Sequence, residues 1–541
     1  MEYLCSRPLN PSPSSALYAL RSDAEFHLQR FPANARLDDP QRFADVARRY
    51  RSRAEALAVL RRSMEGLDLS EAQRFNLEAF GRDDALAVLT GQQAGILGGP
   101  VFTALKAAGA VQMAQRLDGV SAEFGVVPIF WVEDNDHDVE EISELNFLDR
   151  EQEAAHMHLR WPGLRRRTMV SQLEFGPTLE QLFTDWEMLT LRSLHLDDTM
   201  AVLRSIYRTD VSPGRAFRDW LHTLFAEKGL LFVMASECRS AGLFADIAGR
   251  ELAEPGASRE CMQPLMREFA SRGITAQVEP SALNLFLVEN GRRMKLDVDA
   301  NFNFTAEGLP VERARIEAQF DADRSVLTPN VLLRPVMQDR IFPTLAYIAG
   351  PGERSYAAQL RELYERYDVP MPAWMARPHA ALLSAGFQRR REQLGLDFDD
   401  LRRDADAVNG ALVQPWSPKE WTSRAGSAEV NLRDIYAALA GEVRIIDSSL
   451  DAVVEQEMHK TLEGLKRLDA KVRRAVRRRH QDDLRRMYRM HSEYYPRGGP
   501  QDRNTSSGFM ATRYGLAAFR DFVLRAAEKW EAGEMIFAVG E

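Results

Sequence analysis

One stretch constrains the fold more than any other: Val126-Val-Pro-Ile-Phe-Trp-Val-Glu-Asp-Asn-Asp-His-Asp-Val-Glu-Glu141. An unbroken apolar run ends in a cluster of carboxylates, the pattern of a strand buried on both faces that meets solvent at its carboxyl end. Upstream, Leu86-Ala-Val-Leu-Thr-Gly-Gln-Gln-Ala-Gly-Ile-Leu-Gly-Gly-Pro-Val-Phe-Thr-Ala-Leu-Lys106 supplies its partner. There a short apolar run meets glycines, and then Pro100 suits a first helical position, with Val101, Leu105, Ala108 and Val111 at helical spacing. The two stretches make a strand-helix-strand unit. Such crossovers are right-handed and their strands parallel, so the Gly91 to Gly99 loop and the Glu133 to Asp138 cluster should leave the same edge of the sheet. Ligands of open α/β sheets bind at that edge.

A chain of 541 residues predicts two or three domains. The net charge of −9 and pI near 5.8 give no general basic face, so neither nucleic acid nor an anionic membrane is expected as the main partner, and a small molecule is. Cys5, Cys238 and Cys261 are isolated, odd in number and without CxxC spacing, which fits a reducing compartment and excludes a sulfur-ligated zinc site. With no apolar signal core and no apolar run of the ~20 residues that span a bilayer, the expected location is cytoplasmic.

In chain order, residues 1–35 read as irregular and Asp39 to Glu65 as helical. From Leu145 to Pro177 polar and apolar residues alternate, and His156 and His158 share one side if that segment is a strand. Such a pair can bind metal, but no third ligand stands at a helpful spacing, so no metal is expected. Gln181 to Arg208 and Ser212 to Lys228 read as helices, and Gly229 to Ser236 as another short strand. Leu285-Phe-Leu-Val and Arg292-Arg-Met-Lys-Leu flank Glu289-Asn290-Gly291, a strong hairpin signal, which should lie at the rim where it can cover the ligand edge. Pro343 to Tyr356 repeats the strand-glycine-helix logic, with Gly350 and Gly352 at the turn. The core is expected over 1–376, with insertions at about 145–215 and 255–310. A helical arm should occupy 377–493, in which Met458 to Met490 forms one long amphipathic helix with coiled-coil spacing and about His379 to Val408 pairs with it antiparallel. Its basic stretch Lys466 to Arg489 reads as a solvated helix face. Residues 494–541 return to the core.

The chemistry concentrates at the sheet edge. The glycine loop and the helix N-terminus behind it suit a phosphate or carboxylate, with Gln92, Gln93, Gly98, Gly99 and Thr103 as candidate binding residues. Close packing is the competing explanation of those glycines. Lys106 is a further candidate charge for a phosphate, although it stands nearly two turns into the helix, where solvent is the alternative surrounding. Trp131, Glu133, Asp134 and Asp138 surround His137 and Asp136, concentrating negative charge that a substrate amine would relieve. The competing reading is a solvated acidic turn that caps the next helix. Tyr347, Gly350, Gly352 and Glu353 complete the candidate binding set.

Thr90-Gly-Gln-Gln-Ala-Gly-Ile-Leu-Gly-Gly-Pro100, Phe130-Trp-Val-Glu-Asp-Asn-Asp-His-Asp138, Leu333-Arg-Pro-Val-Met-Gln-Asp339 and Gly350-Pro-Gly-Glu353 resemble, in order, the bacillithiol biosynthesis cysteine-adding enzyme family (BshC). The resemblance covers nearly the whole chain. It implies a Rossmann-like α/β core related to HIGH-type nucleotidylyl transferases, connecting-peptide insertions and an antiparallel coiled-coil arm that forms a homodimer. It also implies a ligase that condenses the carboxyl of cysteine with the amine of glucosaminyl-malate. A base for that amine would be His137 or Asp136, and ATP is the candidate co-substrate. The superfamily's His-x-Gly-His signature is absent, however: Gly98-Gly99-Pro100 stands in its place. A transferase or amide ligase for another small substrate, and a non-catalytic coiled-coil scaffold, are the alternative readings.

Overall fold

In the computed structural model, which describes residues 1–8, 16–299, 303–416, 419–530 and 533–539, the apolar runs stand side by side as a five-stranded parallel sheet. Its strands are β1 Leu86–Gln93, β2 Val126–Glu133, β3 Leu231–Met234, β4 Thr344–Ala349 and β5 Ala373–Ala376. They lie in the order β5-β4-β1-β2-β3, every adjacent pair parallel. The chain thus builds outward from β1 to β3, then returns to lay β4 and β5 on the other side of β1. Where the order reverses, between β1 and β4, the loops part in opposite directions and leave a crevice at the carboxyl ends. Gly91 pairs with Trp131 and Gln93 with Glu133, so β1 and β2 end at the same level.

Three helices position the crevice: α1 Val101–Asp118, α2 Leu333–Ile341 and α3 Pro351–Ala357. Helix α1 is buried over most of its length, with Ala110, Met113, Ala114 and Leu117 packed on Leu86, Val88, Val126, Leu345 and Ile348 of the sheet. Each large side chain so buried contributes roughly 1.5–3 kcal/mol. An antiparallel sheet follows β3 in the chain, with strands Leu309–Pro310, Phe304–Ala306, Arg292–Val298, Leu285–Glu289 and Leu327–Pro329 in that order. Its hairpin turns at Asn290 (φ 51°) and Gly291 (φ 73°), two left-handed residues that match the twist of the strands they join. A third sheet places Glu534–Ala538 between Glu2–Arg7 and His379–Leu383. The N-terminal stretch is therefore not irregular: it gives this strand and the helices Ala16–Ser22 and Ala24–Arg30.

The chain divides into two compact units. The first is Met1–Arg150, Ala155–Leu382 and Gln501–Gly540, and holds the five-stranded parallel sheet and the antiparallel sheet that follows it. Its two ends at the excursion are clamped, as Gln501 accepts the Leu382 N–H and donates to the Leu382 carbonyl, both at 2.8 Å. The second, Leu383–Pro500 with Glu151–Ala154, is helical and contains α4 Lys419–Ile446, α5 Asp451–Arg479 and α6 Gln481–Tyr494. Helices α4 and α5 run antiparallel, joined by Trp421 donating to Asp469 (3.0 Å) and by the Tyr436 and Thr461 hydroxyls (2.8 Å). Two readings are corrected here. The long helix breaks at His480 into α5 and α6; the antiparallel partner of α5 is Lys419–Ile446, while His379 to Val408 meets α6, through Phe387 and Phe398 on Tyr494 and Asp406 on Tyr488. Gly426 and Gly441 lie inside α4, where each costs a helix only about 1 kcal/mol and both sit in open space. Among the described residues no helix is long and apolar enough to cross a membrane.

Candidate active site

The crevice holds a cavity of about 580 Å³. Gly91, Gln92 and Gln93 come to it from the end of β1, Glu133, Asp136, His137 and Asp138 from β2, and Gly350, Gly352 and Glu353 from the start of α3. Phe102 and Lys106 of α1, Phe286 and Arg293 of the hairpin, Arg334 of α2, Tyr356, Arg377 and Arg503 close it.

Carboxylates form one wall. Asp136 accepts from Arg293 Nη1 (2.7 Å), Gln93 Nε2 (3.1 Å) and the His137 backbone N–H (2.7 Å). Burial works against its charge, but the His137 and Arg293 contacts outweigh it and hold the carboxyl well below the usual carboxylate range. Asp136 is thus a fixed anion and a poor base. Arg167 Nη1, which can only donate, lies 2.7 Å from His137 Nε2. The imidazole proton then belongs on Nδ1, 3.2 Å from Asp136 Oδ1. Glu133 accepts from Trp131 Nε1 (3.0 Å) and the Asn135 N–H (3.2 Å), and burial pushes its pKa up against the pull of Arg334.

Cations form the facing walls. Lys106 is not solvated: it is 1% exposed, with Nζ on Glu353 (2.7 Å), Gln92 Oε1 (3.2 Å) and the Gly91 carbonyl. It ties the end of β1 to the start of α3 across the switch point. Burial lowers its pKa and Glu353 acts against that. Arg334 donates to Tyr356 Oη at 2.8 Å; burial lowers its basicity, but Tyr356, Tyr347 and Glu133 return more, and it stays charged. Arg377 is held in place by Asp502, 2.7 Å away, which also bonds His379 at 3.1 Å.

Several candidate residues lie outside the cavity. Gly98 and Gly99 serve packing: a Cβ at Gly98 would lie 2.1 Å from Trp220 Nε1 and 2.2 Å from Ser507 Oγ. Three of the loop's N–H groups are also taken, Gly98 by Tyr207 Oη (2.7 Å), Gly99 by the Ile96 carbonyl (3.0 Å) and Val101 by the Thr505 carbonyl (2.9 Å). Gly98 and Gly99 therefore do not line the cavity, whose cations are arginines and Lys106, and Thr103 is buried beneath the covered helix end. Trp131 and Tyr347 are buried and stand behind the wall, Trp131 donating to Glu133 and Tyr347 to Glu353 Oε1 (3.3 Å). Asp134 turns away to Ser236, accepting from its N–H (2.8 Å) and Oγ (2.5 Å), and burial pushes it up to about 7. Asp138 lines the cavity and also caps the helix Val139–Ser143 through the Glu141 N–H (3.3 Å). Sequence reasoning missed Arg293, Arg334, Arg377 and Arg503. Of these, Arg334 sits inside the Leu333 to Asp339 motif, the one signal that could have found it.

Residues 23–378 match the family model of the bacillithiol biosynthesis BshC N-terminal Rossmann-like domain, and residues 380–526 that of the BshC C-terminal coiled-coil domain. The chain belongs to the BshC family. Among curated relatives, proteins named "Putative cysteine ligase BshC" align over most of both chains. That of Chlorobium phaeobacteroides is 29% identical, covering 81% of this chain and 81% of its own. Those of Salinibacter ruber (28% identical, 84% and 83% covered) and Koribacter versatilis (29% identical, 86% and 85% covered) are similar to the same degree. BshC membership fixes the two-part architecture of a Rossmann-like domain and a coiled-coil domain.

Proposed function

We propose that this chain joins the carboxyl of L-cysteine to the amine of glucosaminyl-malate, forming bacillithiol by an amide bond. The observation that carries the reading is the sorting of charge in one cavity at the switch point, in a chain of the BshC family. A protonated amine suits the Glu133, Asp136 and Asp138 wall. The carboxylates of malate and of cysteine suit Arg334, Arg377 and Lys106, where each charge-assisted hydrogen bond contributes roughly 1.5–3 kcal/mol. His137 takes the amine proton on Nε2 once Arg167 releases that nitrogen, and the fixed negative charge of Asp136, 3.2 Å from Nδ1, favours the imidazolium that forms. Amide formation from a free carboxylate needs an activated carboxyl, and ATP is the proposed co-substrate. The guanidinium wall suits phosphates as well as carboxylates.

The test is product formation from cysteine and glucosaminyl-malate by the purified chain, with and without ATP, read by mass spectrometry. Bacillithiol formed with ATP alone supports the reading. No product in either arm overturns the ligase, and product without ATP removes the co-substrate. His137→Ala should lose a factor of ~10² to 10⁴ in kcat. The chain is proposed to be cytoplasmic, in keeping with three cysteines that form no disulfide. The arm is proposed to carry a homodimer, since Val430, Ile435 and Leu439 of α4 and Val453 of α5 are about half exposed. Ile435→Glu with Leu439→Glu should give a monomer by light scattering if so.

A further inference from the structure

A second group of ligating side chains stands apart from the cavity, on the two-stranded sheet of Glu144–Leu148 and Ala154–His158. His156 and His158 project to one face of their strand, with ring centroids 5.4 Å apart at 89°. The Leu159 N–H donates to the Ser143 carbonyl at 3.0 Å, which lays Glu144 beside His158 on the neighbouring strand. The sequence alone offers no third ligand, because Glu144 becomes a neighbour only when the two strands pair. Once they do, two imidazole nitrogens and a carboxylate oxygen lie within 4.8 Å of one another.

We propose that Glu144, His156 and His158 bind a divalent transition-metal ion, zinc by preference. Two neutral imidazoles and one carboxylate are the donor set that zinc takes with water completing its shell, whereas calcium and magnesium take oxygen ligands throughout. Ligand atoms on one zinc stand roughly 3–4 Å apart, given bonds of about 2 Å. The two histidines are exposed, so a rotation about their side-chain torsions closes the remaining gap without moving the strands. The backbone beneath them is fixed: Trp161 Nε1 donates to Ser143 Oγ at 2.8 Å, and Leu159, next to His158, is buried. The carboxylate arrives from a different strand, which a chance pair of surface histidines on one strand does not require.

The site has a consequence for the cavity without entering it. Glu144 directly follows the helix Val139–Ser143, whose cap Asp138 and whose Glu141 both line the cavity. A metal ion joining Glu144 to the histidine strand clips the end of that helix to the hairpin and stiffens the acidic wall. Nothing in this rests on the ligase reading.

The experiment uses the full chain without an affinity tag, stripped by a chelator and titrated with Zn²⁺ against a competing chelating dye. Co²⁺ is added in parallel and followed by its visible absorption. The expected result is one stoichiometric site, weakened at least ~10-fold in Glu144→Gln, His156→Ala and His158→Ala. His459→Ala, which removes an exposed histidine of α5, should leave binding unchanged. Zinc in excess should raise the Tm of the parent chain and not that of the three variants, and equal Tm values without zinc show that the variants are folded. A parent chain that binds no stoichiometric zinc, or variants that bind as tightly as the parent, would overturn the assignment.

Discussion

The loops that follow β1 and β4 begin alike and end as opposites. Each leaves a buried parallel strand, carries glycines beside a proline and feeds a helix. After β1 the loop is sealed: the N–H groups of Gly98, Gly99 and Val101 are taken within the protein, and Trp220 and Ser507 fill the space a side chain at Gly98 would need. After β4 the loop is open: a Cβ at Gly352 meets nothing within 4 Å, and Gly350 to Glu353 face the cavity. Helix α3 is capped from within, as Glu353 accepts the Gly350 N–H at 2.7 Å. A glycine at a strand-to-helix turn thus reports a close approach, and whatever packs over the helix end decides whether the visitor is protein or ligand.

The largest test of this contrast removes the link between the two loops. Lys106→Met leaves Glu353 without its buried cation and should cost about 3–5 kcal/mol in urea unfolding, with an unchanged m-value. A loss below ~1 kcal/mol would mean that the loops do not depend on each other. Next, Gly98→Ala combines a φ of +84° with two overlaps and should cost about 3 kcal/mol. An effect no larger than that of Gly352→Ala would erase the distinction between sealed and open.

The loop after β2 has both characters, and pH separates them. Asp134, on its sealed side, is raised to about 7 by burial, so the folded state holds a proton that the unfolded chain has already lost. Burial raises Asp339 and Glu141 to about 7 as well, so stability should fall between about pH 4 and pH 7 through all three groups, and Asp134→Asn should make that limb shallower by roughly 2–4 kcal/mol. Asp136, on the open side, is shifted down, so its contribution is present above about pH 4 and is lost in stronger acid. An Asp134→Asn profile that falls between about pH 4 and pH 7 as steeply as that of the parent chain would remove Asp134 from the limb. The smallest effect belongs to Gly352→Ala, within about 0.5 kcal/mol in stability, with a raised KM because its methyl enters the cavity.

What could be read in the sequence was what the chain states locally. The apolar run from Val126 to Val132 and its acidic end lie in one segment, so the strand, its parallel neighbours and the carboxylate wall were legible. The cations come from separate places, Lys106, Arg293, Arg334, Arg377 and Arg503, and no local period marks arginines that meet through the fold. Lys106, a candidate charge whose place in the helix left solvent as the alternative, reaches the site for a geometric reason: long side chains on a helix lean toward its N-terminus, so Nζ reaches back to the Gly91 carbonyl. In the arm, Gly426 and Gly441 lie within α4, because an exposed helix that packs along one side tolerates glycine. Glu144 was invisible beside His156 and His158 because strand pairing, and not spacing, makes them neighbours.

The seal over the first loop is made by residues that the ribosome delivers late. Val101 bonds Thr505, Trp220 donates to Ser507 at 3.0 Å, and Glu2–Arg7 finds its partner strand at Glu534–Ala538. A growing chain therefore completes the whole parallel sheet and the entire helical excursion while its first crossover helix still lacks a cover and its first strand still lacks a neighbour. Contacts this distant in sequence slow folding and leave apolar edges exposed meanwhile. Glu2–Arg7 must wait for Glu534–Ala538, and a chain released just after Pro500 is an unsealed sheet awaiting its lid.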